Sequence, residues 1–137
     1  MGQIVVGYDG SECGDAALAA ALDLAAALGD QVTVVFGYAP PGLWGGEIAE
    51  HEEAIEELGE RVMDKARRQA AEKGVEIDVQ LVPKRAAAAL IEVADQRQAR
   101  MIVVGSFGDP PLKGIILGST PNKLLHLSER PVLVVPA

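Results

Sequence analysis

Five short apolar runs, separated by long helical patterns, constrain this chain more than any other feature. They are Ile4–Tyr8, Val32–Phe36, Val75–Val82, Met101–Val104 and Val132–Val135. Four are nearly unbroken Val, Ile and Leu, the pattern of strands covered on both faces. The third alternates Val75, Ile77, Val79 and Leu81 with Glu76, Asp78 and Gln80. One wet face predicts a strand at the sheet edge. Strand–helix alternation of this kind builds right-handed βαβ units around a parallel sheet. The 137 residues suit one domain, residues 1–137.

The helical segments carry their own start and stop signals. Ser11 is placed to N-cap the first, with Glu12 and Asp15 in its opening turn and Gly29 closing it. The second runs from about Glu47 to Lys73 and ends at Gly74, with Ile55, Leu58, Val62 and Ala66 on one stripe. The third lies near Arg85–Gln98, with Ala87, Leu90, Ile91 and Ala94 on one face. The fourth is short, capped by Ser119 or Thr120, with Pro121 at its first position. It ends before Ser128–Pro131.

Charge narrows the ligands. The net charge of −8 argues against nucleic acid and anionic membranes. No Lys or Arg precedes Arg61, whereas twelve carboxylates do, so an anion would be gripped by the C-terminal half. Cys13 is the only cysteine, which fits a reducing compartment. Neither a signal peptide nor a membrane-spanning run is evident, and the expectation is a cytoplasmic protein. His51 reads as solvated and His126 as packed near the last strand. Cys13 reads as a small packed residue. No nucleophile–base pair stands out.

The segment GSFGDPPLKGIILGST, residues 105–120, leaves the fourth strand and enters the fourth helix. Gly105 and Gly108 would let backbone N–H groups approach a ligand. Gly118, Ser119 and Thr120 would add further donors at a helix N-terminus, where phosphate is the natural guest. The alternative is a glycine-rich linker with no ligand. Neither a P-loop nor a dinucleotide fingerprint is present. A second loop, Tyr38–Gly46 with Trp44, follows strand two and also lies on the carboxyl side of the sheet. Trp44 either covers the top of the sheet, closes over a ligand or meets a partner.

The chain resembles the ATP-binding branch of the universal stress protein family. That branch carries G-x2-G-x9-G-[ST], matched by Gly105, Gly108, Gly118 and Ser119. The flanking IVVGS, LKGIILGS and PVLVVP, and the opening IVVGYDGSE, are also similar. The resemblance implies a single open five-stranded parallel sheet, order 3-2-1-4-5, with helices on both faces. This is the Rossmann-like architecture of the adenine-nucleotide α-hydrolase group. It implies ATP, with ADP or AMP as alternatives, and a triphosphate beside Asp9 in a chain of net charge −8 calls for Mg2+. The nucleotide would rest on Gly7, Asp9, Gly37, Gly105, Ser106, Gly108, Gly118, Ser119 and Thr120. Asp9 would hold Mg2+, directly or through water, or accept from ribose or adenine; otherwise it forms the Asp-Gly turn. A homodimer would pair through Val132–Val135.

This chain departs from the family pattern at Asp109-Pro110-Pro111, where a base and flexible residues are common, and at Pro83-Lys84-Arg85, where Gly-x-Pro is common. Lys113 stands near the phosphates or is a solvated loop charge. Lys84 and Arg85 are spare bases or a solvated helix start. The function expected is a nucleotide-dependent switch in stress signalling, acting on a protein partner. No catalytic residue is assigned, and at most slow ATP hydrolysis is expected. The alternatives are a nucleotide-free dimeric interaction protein and an adenylating enzyme.

Overall fold

The computed structural model describes residues 2–38, 48–106 and 118–137, with only the backbone described at 48–52. The elements are β1 (Gln3–Gly7), α1 (Glu12–Leu28), β2 (Gln31–Gly37), α2 (Ile48–Glu72), β3 (Ile77–Val82), α3 (Ala86–Arg97), β4 (Met101–Gly105), α4 (Ser119–Leu127) and β5 (Val132–Val135). All neighbouring strands pair in parallel, in the order β3-β2-β1-β4-β5. The alternating strand, β3, is an edge, as its one wet face requires.

Each inner strand divides its side chains between two cores. Ile4 and Val6 of β1 face α1 and α2, meeting Leu18, Leu22 and Met63. Val5, between them, faces α3 and α4, where Leu90, Val93 and Leu124 pack. This two-sided burial is why β1, β2 and β4 read as continuous apolar runs. A fully buried Leu or Ile contributes about 1.5–3 kcal/mol relative to exposure. The two layers together therefore dominate the fold's stabilisation.

The helix ends show which local signals act. Ser11 Oγ accepts from Gly14 N at 3.1 Å, capping α1, and Gly29 closes it at φ 72°. Gly74 follows α2 at φ 68°. For α4 the cap is Gly118, not Ser119 or Thr120, which are the first two helical residues, and Pro121 is therefore the third. All three candidates are good N-caps, so propensity alone does not choose among neighbours. His126 is exposed rather than packed against β5. Val75 joins the core but precedes β3, which starts at Ile77.

Candidate functional site

The strand order reverses between β1 and β4, and parallel sheets open a crevice there at the carboxyl ends of the strands. A cleft of about 160 Å3 occupies that place. Its inner wall is apolar: Val35 and Phe36 from β2, Leu90 from α3 and Val104 from β4. Its floor is backbone at Gly7, Gly37 and Gly105. Its mouth is Gly118, Ser119 and Thr120 at the start of α4, facing Tyr8 and Asp9 at the end of β1.

The floor glycines answer to packing as well as to the cleft. A Cβ on Gly105 would stand 2.7 Å from both the Cβ and the carbonyl oxygen of Cys13, so the first turn of α1 rests directly on β4. A Cβ on Gly37 would stand 2.8 Å from Ala86 Cα, the first residue of α3. Glycine at these points brings two helix starts down onto the strand ends and so narrows the cleft. At Gly7 the nearest atom is the mobile end of Leu90, at 3.0 Å.

At the mouth, Gly118 N donates to Ser106 O at 2.7 Å, fixing the start of α4 against the end of β4. No side chain caps α4, and Pro121 has no N–H. The amides of Ser119 and Thr120 thus form the open end of the helix. Ser106 is buried, its Oγ lies 3.9 Å from Cys13 Sγ, and it is not part of the cleft lining. Cys13 is likewise buried.

Asp9 Oδ1 accepts from Ser11 N at 3.0 Å and from Ser11 Oγ at 2.5 Å. One carboxylate oxygen is thereby committed to the turn into α1. Tyr8, only 3% exposed, lines the cleft and donates its hydroxyl to Asp15 Oδ1 at 2.5 Å. Burial, then the Asp15 hydrogen bond, pushes the phenol far above its ordinary value, so Tyr8 remains a donor. Lys65 completes the arrangement, reaching Asp15 at 3.2 Å and Gly10 O at 3.0 Å. Sequence reading missed Tyr8, which it took as the last residue of a strand, and also Gly14, Ala86, Leu90 and Val104. Only their positions at strand ends and helix starts could have marked them.

The structure therefore brings Gly7, Asp9, Gly37, Gly105, Gly118, Ser119 and Thr120 to one cleft. Gly108, Asp109-Pro110-Pro111, Lys113, Trp44 and the His51 side chain lie outside the described residues. Among the described residues no group of three His, Cys, Asp or Glu is arranged to hold a metal, and no helix is long and apolar enough to cross a membrane.

Comparison with known proteins agrees with this architecture. The stress response protein NhaX of Bacillus subtilis is 31% identical, with 97% of this chain and 96% of that protein covered. The universal stress protein MJ0531 of Methanocaldococcus jannaschii is 28% identical over 97% of this chain and 81% of its own length. A solved universal stress protein in complex with cAMP is 27% identical, with a TM-score of 0.75 and coverage of 98% of this chain and 96% of that one. The profile of the universal stress protein family matches residues 1–136, and the chain belongs to that family.

Proposed function

We infer that this chain binds an adenine nucleotide in the cleft between β1 and β4. The observation that carries the reading is the pairing, in one crevice, of an apolar slot with the open amide end of α4. Val35, Phe36, Leu90 and Val104 suit a flat base. The Ser119 and Thr120 amides suit a phosphate. The cAMP complex of a family member supports the same ligand class. ATP is the ligand we favour, with ADP and AMP as alternatives. Mg2+ would offset the charge of a chain at −8 and meet the ligand phosphates. Asp9 could serve it only through Oδ2, because Oδ1 is held by Ser11. One carboxylate plus phosphates is an ordinary Mg2+ shell.

In this reading the bound nucleotide is a switch for a protein partner in a stress response. The acidic charge speaks against nucleic-acid and membrane partners, and the lone buried Cys13 fits the reducing cytoplasm. We also infer a homodimer through Val132–Val135, because β5 is a sheet edge whose Leu133 is 38% exposed. The nucleotide reading is tested by purifying the protein without added nucleotide, denaturing it and chromatographing the released material, followed by calorimetric titration with Mg-ATP, ADP and AMP. An adenine nucleotide released, or saturable heat, is expected. Neither release nor heat at millimolar nucleotide would leave the dimeric interaction protein as the better reading.

A further inference from the structure

A second cavity, of about 240 Å3, opens between the starts of α3 and α4. It shares Gly37, Ala86, Ser119 and Thr120 with the nucleotide cleft, so one wall separates the two. What it adds is Arg85, Ala87 and Lys123. Among the described residues no carboxylate lines it, in a chain with 20 of them.

Arg85 and Lys123, like Arg61 and Arg68 on α2, stand apart from the ion-paired bases among the described residues. Lys65, Lys73, Lys84, Arg67, Arg97, Arg100 and Arg130 are each held by an Asp or Glu. Lys84 is adjacent to Arg85, yet it turns to Glu92 at 2.9 Å. Among the described residues, Arg85 and Lys123 form no ion pair. Arg85 also stands where the helix field disfavours a positive charge, as the N-cap of α3. Neither helix has an acid in its first turn, whereas α1 carries Glu12 and Asp15 there. Two unpaired cations, with no carboxylate among the described residues that line the cavity, are charge-complementary to an anion.

We propose that this cavity is an anion subsite that takes a second phosphoryl group of the nucleotide, through Arg85 and Lys123. The proposal rests on the nucleotide reading of the adjoining cleft and adds a selectivity to it. A phosphate at the Ser119 and Thr120 amides lies on the shared wall, and a further phosphoryl group crosses to the two cations. The chain then prefers adenine ligands with two separate phosphoryl groups over AMP. That chemistry has two sources, a diphosphate chain or a second phosphate on the ribose.

The test is calorimetry in EDTA with AMP, ADP and adenosine 3′,5′-bisphosphate. The proteins are the wild type, the Arg85→Gln/Lys123→Gln double variant and an Arg61→Gln/Arg67→Gln double variant that removes the same charge from α2. Charge-assisted contacts at an exposed site predict a gain over AMP of about tenfold for at least one of the two larger ligands. Arg85→Gln/Lys123→Gln should abolish that gain and leave AMP affinity within about twofold, while the α2 variant keeps the gain. Preference for ADP assigns the subsite to the phosphate chain, and preference for the bisphosphate assigns it to the ribose. If AMP binds but neither larger ligand gains, or the gain survives Arg85→Gln/Lys123→Gln, the subsite is overturned while the nucleotide reading stands. A gain lost equally in the α2 variant reduces it to net charge and also overturns it. If none of the three ligands binds the wild type, the nucleotide reading falls and the subsite with it.

Discussion

Ser119 offers a probe of the cleft that leaves the fold alone. It is the first residue of α4, the position at which proline is most acceptable in a helix. Gly118 before it has φ −59° and ψ 166°, an extended conformation compatible with a following proline. Ser119→Pro therefore deletes one amide donor from the mouth and keeps the helix. A hydrogen bond to a charged group contributes about 1.5–3 kcal/mol, so nucleotide affinity should fall by roughly one to two orders of magnitude. The melting temperature should stay within a few degrees. Calorimetry and a thermal melt of the same sample check this, and unchanged affinity would remove the amide from the ligand site. At this scale the site was partly legible. The spacing of Gly105, Gly118 and Ser119 pointed to the cleft. The reason Gly105 must be small was not readable, because it is the remote contact with Cys13. Tyr8 was hidden for the same reason, since its partner Asp15 is reached only once α1 folds back over β1.

At the other end of the sheet, one buried carboxylate ties together the starts of three strands. Asp30, just before β2, accepts from Gly2 N at 2.9 Å, just before β1. It also accepts from Arg100 Nε at 2.7 Å, just before β4. The Arg100 hydrogen bond, helped by Gly2 N–H, holds the carboxyl below its ordinary value despite burial. A depressed carboxyl stabilises the fold fully above its unfolded pKa of about 3.9, and that contribution is lost as pH falls through the lower folded value. Urea midpoints of the wild type and Asp30→Asn should therefore differ most at neutral pH and converge below about pH 4. A gap that stays constant down to about pH 3 would mean that ionisation of Asp30 has no part in the pin. The elements themselves were well marked in the sequence, because two-sided burial and cap residues act locally. The Asp30–Arg100 pair was not, since the two are joined only by the β2-β1-β4 order.

For the whole molecule, alternation of strand and helix implied parallel pairing, yet it permits several strand orders. The order β3-β2-β1-β4-β5 entered through the family resemblance and is the order observed. That order leaves β5 at an edge, and its hydrogen-bond directions make the dimer testable without harm to the sheet. Ile102 N donates to Pro131 O, and Ser106 N donates to Val135 O. Within a strand, successive residues direct their backbone groups to opposite sides, so Pro131, Leu133 and Val135 face β4. Val132 and Val134 then present their N–H groups outward, where a second copy would pair. Val134→Pro removes one outward donor and none of the β4–β5 ladder, and proline is tolerated at such edge positions. If dimers form by pairing β5 with β5, sedimentation equilibrium should show the wild type as a dimer and Val134→Pro shifted to monomer. Far-UV circular dichroism should be unchanged. A variant that remains dimeric would move the interface away from the strand, and a monomeric wild type would remove the dimer altogether.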